Sequence, residues 1–591
     1  MFQLMNRSVI VIFKYELLGT VRMFNEIEDI LKLKGIKNIP AFLNPTEASV
    51  EDKYLFNNIE KARDVYVKNI DNQGEISIVV DCDCDGYSSA AVMYMYTKLV
   101  SPSILINCYI HTGKIHGLNE HLEDILNDSS KLVIIPDAGT CDSEECKQLI
   151  EAGKSVIILD HHSVDPDGNE AIIVNNQLSE KVTDKALTGV GVTYKFCKVL
   201  DDYYKTDYAD RFLDLVAFGL IGDSADMTSL QTRYYTMKGI EMLQNKTGHN
   251  ELLAFLTEKA MYSMNNRVSI TGIAFYINPL INSMIRLGDY EDKVIMFEAM
   301  CNSSRRIERK VRGQGIVEMS LQEYTWRACT STNRKQKTAT DKAALALSKE
   351  IEQYKLDKYP IIVCNAGDDV EANSIGLIAN KLAGMYQRPC LLMRSCGDVC
   401  SGSGRGYNKC EIQDFRKWCE ETGLFIKTQG HAGAFGVSIA VDKTDILFEL
   451  LSKMRPISGA TYYVSGVYKA PTLSSQLVKN VAKYDYIWGG GVDEPLFVVT
   501  DLVINKHGVK LLGQKKNAIV FNYHNIDFVK STRAASLQEL YNQIINCGDN
   551  IEFTVVGRFC FDYKTHSVPT VMIEDMNFKK SEKKRNVFGV Q

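Results

Sequence analysis

Ile76-Ser77-Ile78-Val79-Val80-Asp81-Cys82-Asp83-Cys84-Asp85-Gly86 is the stretch on which the reading of this chain turns. A run rich in isoleucine and valine ends in three alternating aspartates, and Gly86 offers a turn into the amphipathic residues 88–99. Extended backbone here would put the three carboxylates on one face and both cysteines on the other, so Cys82 and Cys84 read as core fillers. Like charges on one face repel, and a divalent cation is the ordinary way to keep them ionised. A helix opening after Gly86 would also turn its N-terminus toward anions.

The arrangement recurs along the chain. Apolar runs at 103–110, 132–136 and 156–159 alternate with amphipathic stretches at 119–126 and 143–152. Asp137 follows the second run, Asp160-His161-His162 ends the third, and Asp223 closes a further apolar run at 215–222. Such alternation predicts βαβ units and a parallel sheet covered on both faces, which binds ligands at the carboxyl ends of its strands. One acidic strand end is commonly a helix cap; four that converge point to metal. Carboxylate and imidazole ligands without thiolate suit two ions of Mn²⁺ or Mg²⁺, which activate water and stabilise charge on a phosphoryl group. His161 and His162 cannot both point the same way on extended backbone. One ligates and the other faces substrate as proton donor or charge stabiliser, with Asp160 orienting a histidine from behind.

At 591 residues the chain exceeds the size of a single core, so three or four domains are expected. Hydrophobic and charged fractions of 45% and 24% are those of an ordinary soluble protein. A net charge of −5 averages over local patches and does not single out a nucleic-acid binder. Sixteen cysteines without Cys-x-x-Cys or zinc spacing favour reduced thiols and a cytoplasmic location. No run approaches the ~18 apolar residues of a membrane span, and Val9-Ile10-Val11-Ile12-Phe13 is too short for a secretory signal. Weak patterning before Met23 admits a translation start there as well as at Met1.

The expected organisation is α/β throughout most of the chain. A helical lead-in (1–70) precedes an α/β catalytic domain with a parallel sheet (71–230), a helical connector (231–355) and a second α/β domain (356–458). A small β-barrel (459–577) and a basic tail (578–591) follow. Residues 291–349 lack strand alternation and carry Arg305, Arg306, Arg309, Lys310 and Arg312, which reads as a long helix with a basic face. The second α/β domain opens at Tyr359-Pro360-Ile361-Ile362-Val363 and has glycine-rich turns at 401–406 and 430–436, where backbone N–H groups can approach an anion. Short alternating runs at 495–500, 509–512, 517–521, 551–556 and 568–573 predict the barrel.

The segments Asp81–Gly86, Asp137, Asp160-His161-His162 and Asp214–Asp223 resemble the four motifs of the DHH phosphoesterase superfamily. Ser401-Gly402-Ser403-Gly404-Arg405-Gly406 and Gly430-His431-Ala432-Gly433-Ala434-Phe435-Gly436 resemble the phosphate-gripping motifs of the associated DHHA1 domain. Phe42-Leu43-Asn44-Pro45, residues 278–288 and Ser374-Ile375-Gly376-Leu377-Ile378-Ala379 are similar to the RecJ single-strand exonucleases, and Glu494-Pro495-Leu496-Phe497 with Asn517-Ala518-Ile519-Val520-Phe521 resembles the family's OB-fold. The resemblance spans about residues 40–576.

It implies that Asp81 and Asp83 serve one ion and Asp85, His161 and Asp223 the other, with Asp137 bridging. His162, with Asp160, is the implied catalytic contact. Asp226 competes with Asp223 for its place, but the run 214–222 fits Asp223 better. Arg405, His431, Ser403, Gly430, Ser374, Asn282 and Arg286 are the implied substrate contacts, arginine because its planar fork pairs with phosphate oxygens. Arg286 could instead pair with Asp289 or Glu291, and His431 could be a turn histidine. The loop His111-Thr112-Gly113-Lys114-Ile115-His116-Gly117 departs from the arginine-bearing loop of many relatives. Lys114 can take the phosphate contact there only as a point charge. His111 and His116 either ligate metal or support the loop, with the loop role favoured.

The expected function is a single-stranded-DNA-specific exonuclease that digests from the 5′ end to mononucleotides by two-metal hydrolysis. Its polarity comes from the resemblance alone. Single-stranded DNA, a single-strand-binding protein or a helicase are the expected partners of a monomer working in DNA repair and recombination, and the divergent loops suit a phage or mobile-element version. Tyr523, Phe528, Phe559 and Phe561 are candidates for stacking on bases. Two other readings compete: a phosphodiesterase of short oligoribonucleotides or cyclic dinucleotides, and a non-enzymatic replication-complex scaffold. The barrel and basic connector argue against the first, and the intact costly charge cluster against the second.

Overall fold

In the computed structural model, residues 14–18, 27–163, 168–311, 313–368, 370–455, 460–513, 516–531, 536–562 and 565–582 are described. The run at 9–13, Met23, Arg312 and the tail beyond Glu582 lie outside them. The chain forms two compact units. The first comprises residues 36–336 and 486–493, and the second residues 1–35, 337–485 and 494–591.

The first unit is built on β1 (Ile76–Val80), β2 (Ile106–Ile110), β3 (Leu132–Pro136), β4 (Ser155–Asp160) and β5 (Ile172–Asn175). All pair in parallel, in the order β2-β1-β3-β4-β5. Side chains alternate between two apolar layers. Ile78, Ile134 and Ile157 face one core, and Val79, Val133 and Ile158 the other. β1, β3 and β4 are buried on both faces, which is why these runs show no clear polar alternation. β5 is additional to the runs recognised in the sequence; it is only four residues long and no amphipathic stretch precedes it.

Three helices complete the scaffold of this edge: α1 (Cys84–Val100), α2 (Gly189–Tyr204) and α3 (Leu213–Gly222). α3 is buried along nearly its whole length, and an apolar run of that kind is a core helix rather than a strand. Further on, α4 (Asn278–Leu287) follows a π-helical turn at Ile273–Ile277.

The connector departs from the expected continuous helix. β6 (Arg306–Val311) and β7 (Gly315–Ser320) form an antiparallel hairpin, and only then does α5 (Leu321–Gln353) begin. Gly313 and Gly315 take φ of +81° and +80°, the left-handed backbone that a tight hairpin requires. Ile307, Arg309 and Val311 are half-buried between exposed neighbours, a period of two that the dense charge obscures. Arg306, Arg309 and Lys310 therefore sit on a strand with Arg305 just before it, and several are already engaged. Arg305 pairs with Glu298, Arg306 with Glu318 at 3.3 Å, and Arg309 lies 4.6 Å from the Tyr324 ring.

The second unit contains β8 (Ile362–Asn365), α6 (Ile375–Tyr386), β9 (Cys390–Cys396), β10 (Val399–Arg405), β11 (Phe425–His431) and β12 (Ala434–Ala440). Its sheet runs β11-β12-β10-β9-β8, with only β8 and β9 parallel. The region expected as a small barrel forms a seven-stranded mixed sheet. Its strands are β13 (Gly466–Lys469), β14 (Phe497–Asn505), β15 (Lys510–Leu512), β16 (Ala518–Tyr523), β17 (Ile526–Ser531), β18 (Asn550–Phe561) and β19 (Pro569–Lys580). Among the described residues the pairings run open from β13 to β15, in the order β13-β14-β18-β19-β17-β16-β15. Phe559 stacks on Phe497 at 4.0 Å and Phe528 on Phe521 at 5.5 Å, all four buried, so Phe528 and Phe559 are core residues and not base platforms. Tyr523 and Phe561 remain half-buried. Among the described residues no helix is long and apolar enough to cross a membrane.

The Phe42-Leu43-Asn44-Pro45 stretch has a structural role. Arg233, fully buried, donates from Nε to the Phe42 carbonyl at 2.6 Å and from Nη1 to the Ile487 carbonyl at 3.0 Å, with its guanidinium 3.6 Å from the Phe42 ring. Burial pulls its pKa down to about 10. Arg233→Ala strands two buried carbonyls and leaves a cavity, so it should lower stability by roughly 3 kcal/mol. A denaturant midpoint close to that of the parent chain would contradict this.

Candidate active site

The acidic edge is assembled from strand ends and helix starts. Asp81 follows β1. Asp83 is the N-cap of α1, its carboxylate accepting from the N–H groups of Asp85 at 2.9 Å and Gly86 at 3.0 Å. The helix thus begins at Cys84, two residues before Gly86, and Asp85 stands in its first turn. The three aspartates do not share one face of an extended strand, because capping by Asp83 ends the extended backbone early. Gly86 is needed for close approach, since a Cβ there would lie 2.5 Å from that of Asp81. Cys82 and Cys84 are buried, as core fillers should be.

Asp85 is held by the start of α2. Thr188 Oγ1 and the Val190 N–H donate to its Oδ1 at 2.8 and 3.2 Å, and the Gly189 N–H donates to Oδ2 at 2.7 Å. Asp137, directly after β3, adopts φ +70° and donates its N–H to the Leu159 carbonyl at 2.8 Å. Aspartate is among the few residues that tolerate this left-handed backbone. Gly189 packs against it so closely that a Cβ would sit 2.3 Å from Asp137 Oδ1. Thr188 and Gly189 were not among the residues singled out in the sequence; their signal is a threonine at the N-cap position before a glycine-led helix.

His161 gathers the second group. Its Nε2 lies 3.2 Å from Asp137 Oδ1, 3.8 Å from Asp223 Oδ2 and 4.0 Å from Asp85 Oδ2. Ligand atoms of Asp81, Asp83 and Asp137 fall within 4.8 Å of one another, so Asp137 belongs to both groups. Asp223 caps the C-terminal end of α3, whereas Asp226 is exposed and accepts from the Thr228 N–H at 2.9 Å. Asp160 sits behind, accepting on Oδ1 from His162 Nδ1 at 2.7 Å and from the His161 N–H at 2.7 Å, and on Oδ2 from Thr140 Oγ1 at 2.5 Å. Asn175, at the end of β5, donates to the His162 carbonyl at 3.1 Å, a second support the sequence reading passed over.

Electrostatics follow from this crowding. Burial, then the charges of Asp85 and Asp83, push Asp137 well above the usual carboxylate range. Burial and Asp83 push Asp85 up to about 6, and burial with Asp85 and Asp83 push Asp223 up to about 8. Asp160 goes the other way. Burial raises it, but the bond from His162 and the two histidine charges outweigh burial and hold it well below the usual range. The same bond raises His162, whose side chain is half exposed, to about 9.

These residues fit two divalent cations. Asp81 Oδ1 is buried without a hydrogen-bond partner, and buried Asp137 Oδ1 makes no hydrogen bond although His161 Nε2 lies 3.2 Å away; both are costly states for a carboxylate oxygen unless a cation takes it. Oxygen ligands with one imidazole suit Mn²⁺ or Mg²⁺.

Other expected contacts fall into place around this edge. His116 Nδ1 lies 2.8 Å from Asp81 Oδ2 and so supports that carboxylate, while His111 Nδ1 lies 2.8 Å from Glu120 Oε2. Lys114, exposed on the same loop, acts on Cys82 and His116 through its charge. Arg286 and Asn282 are half-buried on α4, and the Arg286 charge acts on Cys84 at the start of α1. In the second unit, Arg405 and His431 both stand opposite Ala434, on either side of it, so the register places them in one row of the sheet. Arg405 Nη1 donates to Ser403 Oγ at 2.7 Å and the Gly404 carbonyl at 2.8 Å. Ser403, buried and donating to the Phe435 carbonyl at 3.2 Å, therefore orients Arg405. Gly430 takes φ +132° next to His431, and Ser374 directly precedes α6, whose Gly376 lies against Arg405.

Residues 75–220 match the DHH family, N-terminal domain. The chain is 33% identical over 575 residues to the putative SPbeta prophage-derived single-strand DNA-specific exonuclease YorK of Bacillus subtilis, covering 96% of this chain and 98% of that one. It is 24% identical to the single-stranded-DNA-specific exonuclease RecJ of the same organism, over 71% of this chain and 50% of that one. Among solved structures, RecJ from Thermus thermophilus in complex with Mn²⁺ superposes with a TM-score of 0.68 at 18% identity, covering 93% of this chain and 75% of that one. The same protein was also solved with Mg²⁺. The fold and the acidic edge are those of a DHH-type protein. The chain belongs to the DHH family, in its RecJ-like branch.

The raised carboxylates set a pH dependence. Asp85 and Asp223, at about 6 and about 8 against an ordinary 3.8, bind more protons folded than unfolded, so metal-free stability falls as pH rises through that window. A cation removes the repulsion, so the gain in Tm on adding Mn²⁺ should be larger at about pH 8 than at about pH 5.5. Equal gains would count against these residues as ligands. Separately, Asp223→Ala should abolish activity while Asp226→Ala leaves it near the parent level; the reverse would move the ligand to Asp226.

Proposed function

We propose that this chain is a metal-dependent, single-strand-specific DNA exonuclease that releases mononucleotides, working from the 5′ end as RecJ-type enzymes do. The observation that carries this reading is the buried carboxylate cluster with two oxygens that make no hydrogen bond, in a chain similar over nearly its whole length to a single-strand DNA-specific exonuclease. Asp81, Asp83 and Asp137 would hold one ion and Asp85, Asp137, His161 and Asp223 the other. When bound, the ions supply activation of a water molecule and neutralisation of charge on the phosphoryl group.

The remaining work falls to the chain itself. Asp160 fixes the His162 ring through Nδ1 and keeps it protonated at neutral pH, leaving Nε2 as a charged donor on a half-exposed side chain. Such a donor stabilises charge on a phosphate oxygen or protonates the departing 3′ oxygen. Arg405, set by Ser403, and His431 in the same row offer a fork and an imidazole to a backbone phosphate, with Gly430 and the start of α6 nearby in the same unit. Lys114, Arg286 and Asn282 would contact the strand beside the acidic edge. Sixteen free cysteines suit a reducing cytoplasm. A monomer acting beside a single-strand-binding protein or helicase in repair or recombination completes the reading.

Mn²⁺-dependent digestion of end-labelled single- and double-stranded DNA, short RNA and cyclic dinucleotides tests it; preference for dinucleotides would sink it. His162→Ala should lower kcat by about 10²-fold. The imidazolium is the active form, so kcat should fall as pH rises past about 9. In Asp160→Asn the fall should move down toward the ordinary histidine value of about 6.5. An unmoved alkaline limb would show that His162 is not the titrating group.

A further inference from the structure

The loop after β2 carries a second cluster of ligand-type side chains that shares no residue with the acidic edge. His111 follows the last residue of β2, Glu120 and His121 lie in the short turn Asn119–His121, and one ligand atom from each falls within 4.8 Å of the others. His111 and His121 are 2% and 7% exposed, with ring centroids 4.7 Å apart. Glu120 Oε2 lies 2.8 Å from His111 Nδ1 and 4.0 Å from His121 Nε2. An ionised carboxylate has no proton to give, so His111 Nδ1 carries the hydrogen, and in the neutral ring Nε2 is a bare lone pair. That atom and His121 Nε2 are both buried without a hydrogen-bond partner.

A loop support accounts for only half of this. Glu120 already fixes the loop by accepting from the Thr112 N–H at 3.1 Å and from the Thr112 hydroxyl, and Lys293 Nζ clamps the Thr112 carbonyl at 2.6 Å. Neither contact explains two imidazole nitrogens left without partners beside a carboxylate, which costs free energy unless a ligand takes them.

We propose that His111 and His121, with Glu120 supporting His111 from behind, form a site for one divalent transition ion of the zinc class. Two imidazoles completed by water are ligands that such ions accept and that hard Mg²⁺ does not favour. His111 Nδ1 donates to Glu120, and this bond is the outer support that metal-bound histidines regularly have. The ion ties the end of β2 to the turn nine residues further on, and so steadies the loop that carries Lys114 and His116. Because His116 supports Asp81, the site acts on the acidic edge without contributing a ligand to it.

The test uses the full chain with Asp83→Asn and Asp137→Asn, which weakens the acidic edge, titrated with Co²⁺. One equivalent should bind, give the visible bands of a low-coordinate nitrogen and oxygen site, and be displaced by one equivalent of Zn²⁺. Adding His121→Gln, or His111→Gln, should abolish the bands while circular dichroism stays unchanged. Cobalt binding that survives both substitutions, or no binding in the parent, overturns the proposal. Should the glutamine variants fail to fold, X-ray absorption of the zinc-loaded Asp83→Asn/Asp137→Asn chain decides. Two imidazoles around zinc support the site, and one or none overturns it.

Discussion

Mutual repulsion among buried carboxylates is the constraint on which the rest of the first unit depends. Asp81, Asp85 and Asp137 are almost wholly buried, with Asp83 and Asp223 partly so, and the charges of Asp81, Asp83 and Asp85 raise the cost of ionising their neighbours. The surrounding elements hold that charge in place. The N-terminus of α2 spends three donors on Asp85, Asp83 is bound to the first turn of α1, and His116 engages Asp81. Helix starts suit this purpose, because their unpaired N–H groups and dipoles favour negative charge. The parallel sheet is thus arranged to present its carboxyl edge to an incoming cation rather than to satisfy the carboxylates by itself.

Much of this was legible in the sequence, for a physical reason. Strands β1, β3 and β4 are buried on both faces, so they had to be short continuous apolar runs, and the residues just beyond them had to lie at one edge. That Asp81, Asp137 and His161 come to one place follows from that topology; Asp223 ends a helix, and its place was implied by the family resemblance. What escaped is equally specific. The cap formed by Asp83 shortens β1's extension, and no periodicity reveals which aspartate turns its side chain back on the chain. Thr188 and Gly189 act through one hydroxyl and backbone N–H groups, which carry little sequence signature. The β6–β7 hairpin hid behind charged residues whose alternation is visible only once half of them are seen to be half-buried.

In the second unit the motifs were readable but their logic was not. Glycines at 402, 404 and 406 suggested an anion turn, whereas Gly402 and Gly404 lie within a regular strand, β10, that ends at Arg405. There the geometry comes from sheet register, which sets Arg405 and His431 on either side of Ala434. Likewise, aromatic residues near the C-terminus could be counted in the sequence, but only packing separates the Phe497–Phe559 and Phe521–Phe528 stacks from the half-buried Tyr523 and Phe561.

The left-handed backbone of Asp137 has an evolutionary consequence. Most side chains at φ +70° would strain the chain, and only asparagine or glycine would sit there as comfortably as aspartate. The most accessible change at the centre of the acidic edge therefore erases charge without disturbing the fold. A lineage of this protein that no longer needed chemistry could lose it at one position and keep the rest of its architecture for binding alone.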